Sequence, residues 1–595
     1  MIEIAEYRFG PVLGPLDTRF RLFAPAARRV QVVIGPAGAE RASELYAHGG
    51  GWFSGVDPAA RAGARYGFRI DDDPTIVPDP AARFQPDGVH GLSELIDPRS
   101  LAQPAAAWLG RPWNEIIFYE LHVGTFTPGG TYASAIERLD DLVALGVTAI
   151  ELMPLAQWPG NRNWGYDGVL PYAPAARYGR PEDLVRFIAE AHRRGLAVFL
   201  DVVYNHFGPE GNYLHGYAPE FFTERYQTPW GAAIDYASDD VRAFFIENAR
   251  WWLEAYGFDG LRLDATQMIF DRRSPSVLEE LRATIAAWTP PGRQVYLVVE
   301  NDHNDVTLLN AGYAAQWNDD FHHAMHVLTT AQAGGYYGDY TARPAWLLGR
   351  TLTAGYGYQG EPSPFRGGAP RGSRSDDQPL GKFIDFLQNH DQIGNRARGE
   401  RLSMLAPPAA LRAAAAVLLL APSPPLLFMG EEWAASTPFL FFCDFEPELA
   451  HLVTAGRRRE FAGFAEFADP SAREMIPDPS AAATFERCVL KWDERSAEPH
   501  RSMLAFYRAL LALRKTEIVP RIEGVSPRDA TLIERGAAGI VATWKVAGGT
   551  LQLEANLAAR ACSGFAVRAP GRCIFGAADY ADGSAPPWSV RWSIG

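Results

Sequence analysis

The sequence predicts an α/β chain: a central (β/α)8 barrel, with a small antiparallel β-sandwich before it and an antiparallel β domain after it. Three observations predict this. Eight strand-like apolar runs alternate with amphipathic helical segments through the middle of the chain. Short β-rich runs punctuated by Gly, Pro and Asp fill the first hundred residues, and β-type runs return near the C-terminus.

The N-terminal runs are TRFRLFAP, RRVQVVI, GWFSGV and RYGFRI, spaced as in a small sandwich. DDDPTIVPDPAARFQPDG then reads as a Pro-rich connector, so the first domain is expected over 1–103, with a boundary near Pro104. The barrel is expected over 104–518. Its strand runs are IIFYELHVGTF, VTAIELMPL, LAVFLDVVYNH, GFDGLRLDAT, VYLVVEND, a weaker YAAQWNDDFH, FIDFLQNHD and PPLLFMGEEW. Between them TYASAIERLDDLVALG, PEDLVRFIAEAHRRG, SDDVRAFFIENARWWLEAYG and PPAALRAAAAVLLLA place apolar residues near the 3.6 period. The separation of His206 from Gly257 exceeds an ordinary βα loop and implies a short excursion over 207–256, containing ERYQTPWGAAIDY. Residues 360–381, GEPSPFRGGAPRGSRSDDQPLG, read as a mobile loop, solvated in preference to a lid. GIVATWKV, LQLEANL and RCIFGA mark the C-terminal β domain, 519–595.

The chain has 595 residues, 47% of them hydrophobic, enough for a large core. A net charge of −14 without a Lys/Arg stripe argues against nucleic acid or an anionic membrane as partner. A neutral substrate fits better, and 16 Trp and 23 Tyr offer flat rings on which sugars stack. Cys443, Cys488, Cys562 and Cys573 have neither CxxC spacing nor the density of a disulfide framework. With no signal-like start and no apolar stretch of about 18 residues, the expected compartment is the cytoplasm.

Three predicted strands end in an acid: Asp264, Glu300 and Asp391. In barrels of this kind functional groups gather at the C-terminal strand ends, and a buried carboxylate is costly unless paired or used. Two carboxyl groups facing one bond are what glycoside hydrolysis needs, one ionised and one protonated. Arg262, two residues before Asp264 and on the same side of a strand, would keep Asp264 ionised as a nucleophile. Glu300 follows Leu297, Val298 and Val299, surroundings that raise a carboxyl's pKa and suit the general acid. Asp391, with His390, suits stabilisation of an oxocarbenium-like transition state. His206 could bind a sugar hydroxyl, and Asp201 is as consistent with a structural hydrogen-bond partner.

DVVYNH, GLRLDAT, the Glu of LVVEND and QNHDQ match the four short regions of the alpha-amylase superfamily, glycoside hydrolase family 13, which this sequence therefore resembles. The resemblance implies Asp264 as nucleophile, Glu300 as acid/base, Asp391 as transition-state stabiliser, Arg262, His206 and His390 as substrate-contacting helpers, and Tyr166 of NWGYDGV stacked under the sugar at the scissile bond. It also implies a retaining mechanism, with the two carboxyl groups about 5–5.5 Å apart. Over nearly the whole length the sequence is similar to the maltooligosyltrehalose trehalohydrolase family, through RNWGYDGVLPYAP, FFTERYQTPWGAAIDY, WNDDFHHAMHVLTT, FLQNHDQIGNRARGERL and FMGEEWAASTPFLFFCDFEPEL. That similarity implies an N-terminal immunoglobulin-like sandwich of carbohydrate-binding-module type. The implied substrate is maltooligosyltrehalose, cut at the α-1,4 bond that joins trehalose to the glucan, and a maltooligosyltrehalose synthase is the implied functional partner. Trp230, Asp319, Asp320, His322 and His323 are expected to wall the leaving side, and Glu431 and Glu432 read equally as polar scaffolding. Asn205 matches one calcium-ligand position of many amylases, but the excursion is short and lacks an oxygen-rich run, so no metal and no cofactor are expected. The competing readings are a glucan branching enzyme with the same triad, a noncatalytic glucan-binding protein, and a debranching hydrolase.

Overall fold

The structure is a computed structural model that describes residues 7–36, 38–101, 108–228, 230–463, 465–467 and 469–595. Eight parallel strands close into a barrel: β1 (Phe118–Leu121), β2 (Ala149–Leu152), β3 (Ala197–Val202), β4 (Gly260–Leu263), β5 (Tyr296–Val299), β6 (Ala315–Trp317), β7 (Phe383–Phe386) and β8 (Pro425–Phe428). All eight predicted runs supply one. β8 pairs with β1 at Leu426–Phe118, closing the sheet on itself and leaving no free edge.

The strands are buried on both faces, so they read as apolar runs. Along each, residues two apart share a face. Phe118 and Glu120, Ala149 and Glu151, Phe199 and Asp201, and Gly260 and Arg262 are such pairs. The first member joins an aromatic layer containing Phe118, Phe199, Trp317 and Phe386, and the second places an ionisable group above it. At Gly260 a Cβ would lie 2.3 Å from the Phe199 ring and 2.5 Å from the Tyr296 carbonyl oxygen, so this layer admits only glycine there.

Helices form where the sequence caps them. Pro181 opens the helix Pro181–Arg193, Asp183 accepts from the Arg180 amide, and His192 and Arg193 meet its negative end. The predicted segment 131–146 splits instead into Tyr132–Ile136 and Leu139–Leu145, the second stopped by Gly146 at φ 107°. The Ala/Leu-rich helix Pro408–Leu420 is apolar nearly all round because it is covered on both sides. The C-terminal sheet, in the order 530–535, 539–546, 549–556, 589–594, 572–575, packs on it. Trp592 Nε1 donates to Ala416 O at 3.0 Å, and Trp544, stacked on Trp592, donates to Leu352 O.

The N-terminal strands form two antiparallel groups, and strand Arg41–Gly49 pairs into both of them. This unit docks on the barrel through Arg83, whose guanidinium lies 4.1 Å over Trp251 and 4.4 Å over Tyr172. The expected boundary near Pro104 lies outside the described residues. The excursion after β3 is a hairpin, Phe222–Thr228 with Gly231–Ile234. Residues 360–381 divide: most of 360–370 is exposed, as expected of a solvated loop, while Arg366 pairs with Asp302, Arg371 is buried 3.2 Å from Asp320, and Ser375 Oγ donates to Ala354 O at 2.6 Å. Arginine and serine read as solvated in sequence, yet here they satisfy buried acids and carbonyls. No helix among the described residues is long and apolar enough to cross a membrane.

Candidate active site

Asp264 directly follows β4, Glu300 directly follows β5, and Asp391 lies in the short helix His390–Gly394 beyond β7. Their side chains are 12%, 16% and 34% exposed, so each reaches the open end of the barrel while its strand stays buried.

Arg262, fully buried, organises the centre. Its Nη1 donates to Asp201 Oδ2 at 2.7 Å and to Asp264 Oδ1 at 2.9 Å, and its Nη2 lies 2.9 Å from Glu300 Oε2. The guanidinium rests 3.9 Å over the Trp317 ring. Burial works against its charge, but Asp201 and Glu300 outweigh that and hold it protonated. Burial and the neighbouring Asp264 raise the Glu300 pKa, with Arg262 opposing. The Ala265 amide donates to Glu300 Oε2 at 2.8 Å from a residue at φ 40°. A left-handed alanine costs about 1–3 kcal/mol, and here it aims an N–H at a catalytic candidate.

Asn205 Nδ2 donates to both the carbonyl and Oδ2 of Asp264, at 2.9 and 2.8 Å, which fixes the carboxylate's orientation. The side chain that matched a calcium-ligand position therefore serves Asp264, and its oxygen meets the His206 ring. Among the described residues no group of three or more His, Cys, Asp or Glu side chains could hold a metal ion. Tyr166 O–H donates to Asp201 Oδ2 at 2.6 Å, and its ring stacks on His390 at 5.0 Å. Burial lifts Asp201 to about 7 against the pull of Arg262. His206 is pushed down to about 4 by burial and is neutral; Nε2 meets Tyr166 O at 2.9 Å, and the Trp230 indole stacks on its ring at 4.0 Å. Trp230 is itself 43% exposed, an open aromatic face beside the carboxylates.

The other wall candidates divide. Asp319 is partly exposed and close enough to Glu300 to feel its charge; burial and that charge push it up to about 8. Asp320 does not line the cleft. It is fully buried, accepting from Asn304 Nδ2 at 2.7 Å, from the amides of Gly357 and Tyr358 at 2.8 and 2.9 Å, and from Tyr340, with Arg371 beside it. His322 is equally engaged, Nδ1 with Leu387 O at 2.5 Å and Nε2 with Tyr337 O–H at 2.9 Å. His323 is buried among Tyr336, Tyr337 and Tyr340 rather than open to the cleft. Successive residues of one helix point in different directions, so a single motif serves both cleft and scaffold. Glu431 and Glu432 are buried on Gln388, Tyr507 and Tyr119.

Sequence reasoning passed over Glu120 and Glu151, adjacent in register at the heart of the barrel. The signal was present: an acid inside the apolar runs IIFYEL and VTAIEL. A cavity of about 680 Å³ opens at the opposite end of the barrel, among Trp113, Tyr296, Arg282 and Lys382, and Glu523 is the one acid in its lining.

Comparison with known proteins places the chain in a family. The alpha amylase catalytic domain model matches residues 96–227, carbohydrate-binding module 48 (isoamylase N-terminal domain) matches 8–82, and a domain of unknown function, DUF3459, matches 527–592. The malto-oligosyltrehalose trehalohydrolase of Deinococcus radiodurans is 45% identical over 511 residues, 86% of this chain and 83% of that protein. The chain belongs to the malto-oligosyltrehalose trehalohydrolase family. The family member of Mycobacterium tuberculosis is 43% identical over 84% of this chain and 86% of its own. A crystal structure of a putative alpha amylase from Salmonella typhimurium superposes with a TM-score of 0.93 at 41% identity, covering 99% of this chain and 100% of that one. By contrast, a 1,4-alpha-glucan branching enzyme of Streptomyces avermitilis is 34% identical over only 42% of this chain and 46% of its own.

Proposed function

We propose that this chain is a retaining glycoside hydrolase that cleaves the α-1,4 bond between a maltooligosaccharide and a terminal trehalose, releasing free trehalose. The observation that carries the chemistry is Arg262 in contact with both Asp264 and Glu300. One guanidinium reaching two carboxyl groups favours the short spacing of a retaining pair over the wider gap that holds a water. Asp264, held by Arg262 and Asn205, attacks the anomeric carbon as Glu300 delivers its proton to the leaving oxygen. The products are a β-glycosyl ester on Asp264 and free trehalose. Glu300, now ionised, takes a proton from water, whose oxygen attacks the same carbon, displaces the Asp264 carboxylate and restores the α configuration. Asp391 faces the developing positive charge and His390 the sugar hydroxyls; Tyr166 and Trp230 supply flat surfaces, with Asp319 on the leaving side. The names of the relatives support trehalose as the leaving group.

In this reading residues 1–103 are a glucan-binding module, 104–518 the catalytic unit and 519–595 a supporting β domain. A synthase that converts the reducing end of a glucan to trehalose supplies the substrate in trehalose biosynthesis. The buried thiols of Cys443 and Cys488, both free, fit a cytoplasmic setting. The test is to incubate the purified protein with maltopentaose and, separately, with a maltooligosaccharide ending in trehalose, and to separate the products. Rapid release of trehalose with slow attack on maltopentaose is expected. Lengthened or branched chains without trehalose would make it a transferase, and no turnover of either would make it a binding protein.

A further inference from the structure

His390 is held from below. Its Nδ1 lies 2.5 Å from Glu120 Oε1 and its backbone amide donates to Glu120 Oε2 at 3.2 Å, so both oxygens of one carboxylate grip one residue. On the other side of the ring Nε2 lies 3.4 Å from Asp391 Oδ1. Tyr166 stacks on the ring and Trp164 meets it edge-on at 5.4 Å, and turning the ring over would give up its Nδ1 contact with Glu120.

We propose that Glu120 is a positioning residue for the hydrolysis: by gripping Nδ1 and the amide of His390 it fixes the ring as a cation whose Nε2–H points toward Asp391 and the sugar. The inference rests on the proposed function for its readout in catalysis, but not for the contact itself. A carboxylate on one ring nitrogen fixes the tautomer and charge at the other, as in any carboxylate–histidine pair. Burial disfavours the imidazolium, yet Asp391 and Glu120 override it and raise His390 to about 9. The other groups facing the ring do not replace Glu120. Asp201 and Glu300 are committed to Arg262, while Arg262 opposes a positive ring and the His390 charge in turn lowers the pKa of His122. Glu151, beside Glu120 on the next strand, has no hydrogen-bond partner on either oxygen among the described residues, and burial with the Glu120 charge pushes its pKa well up, which disfavours a second charge there.

The experiment compares wild type, Glu120→Gln, His390→Gln and the double variant. It measures kcat, KM and the alkaline limb of kcat on whichever glucan wild type cleaves, and follows the His390 ring by NMR titration of 13C-labelled histidine, assigned with His390→Gln. Glu120→Gln is expected to lower kcat about 10–100-fold, the loss of one charge-assisted hydrogen bond, with a smaller change in KM. It should move the His390 titration and the alkaline limb at least one pH unit down, and add nothing to the loss already caused by His390→Gln. Unmoved titration, or losses that multiply in the double variant, would reduce Glu120 to packing and overturn the proposal. If Glu120→Gln does not fold, Glu120→Asp keeps the charge and should keep the raised titration; a titration that drops despite the retained charge overturns it equally. If wild type cleaves neither glucan, the proposed function fails while the NMR titration still decides the Glu120–His390 contact.

Discussion

The rim formed by β3 to β5 and the helix Asp319–Thr330 after β6 both carry several acids and histidines, yet they do opposite things with them. At the rim Asp264 and Glu300 keep an exposed edge while Arg262 and Asn205 hold them from behind. On the helix Asp320 and His322 turn their hydrogen bonds inward, to Asn304, Arg371, Tyr340, Tyr337 and backbone groups. A polar group does chemistry where its support comes from one side only. Where partners surround it, it is part of the frame.

Replacing Asp264 by Asn should break the rim side most severely. Turnover is expected to fall at least about 10³-fold, as when a nucleophile is removed, with substrate binding kept, as read by calorimetry. Asp320→Ala should do the reverse. It leaves Arg371 buried without its partner, so unfolding should become easier by about 3–5 kcal/mol; denaturant titration measures this, while per-molecule kcat at low temperature stays near wild type. The histidines sharpen the contrast through pH. Burial lowers His122, His206 and His326 from 6.5 to about 4, so they are neutral when folded and take up protons on unfolding. Stability should therefore fall as pH drops from about 6.5 toward 4, by about 1.4 kcal/mol per pH unit for each histidine. His326→Gln should flatten that slope in a Tm series. His390 has the opposite sign: raised to about 9, it contributes stability that is lost as pH rises through that value. The smallest effect is expected at Trp230. Trp230→Ala should reduce discrimination for a trehalose end over a maltose end by about tenfold, the scale of one lost apolar face, in competition assays.

The barrel was legible because its strands are buried on both faces and the period of the intervening helices is clear. Even the weak sixth run forms a strand, Ala315–Trp317. Asp264 and Glu300 were legible as strand-end acids because each directly follows an apolar strand, whereas Asp391, read as a third strand end, lies in the helix His390–Gly394 beyond β7. Glu120 and Glu151 follow the same rule but sit inside their runs, and attention to run ends passed over them. The helix after β6 was misread for a different reason. Sequence gives the order of Asp319, Asp320, His322 and His323 but not their azimuth against partners as distant as Arg371, and only tertiary contacts decide which of them face the cleft. The loop at 360–381 was legible in part: its composition says solvent, which holds for most of 360–370, while the buried Asp320 draws Arg371 inward.

The contact of Arg262 with both Asp264 and Glu300 has an electrical consequence for the proposed first step. As Asp264 gives its negative charge to a covalent bond, Glu300 gains one by releasing its proton, and both events occur within reach of the same cation. The charge the guanidinium neutralises is handed from one carboxyl to the other without changing in sum. The pocket need not import or expel an ion to keep the account level, and the surrounding dipoles have little to reorganise between the two states. A centre built this way can run deep within an acidic protein without paying for the net charge of its surface.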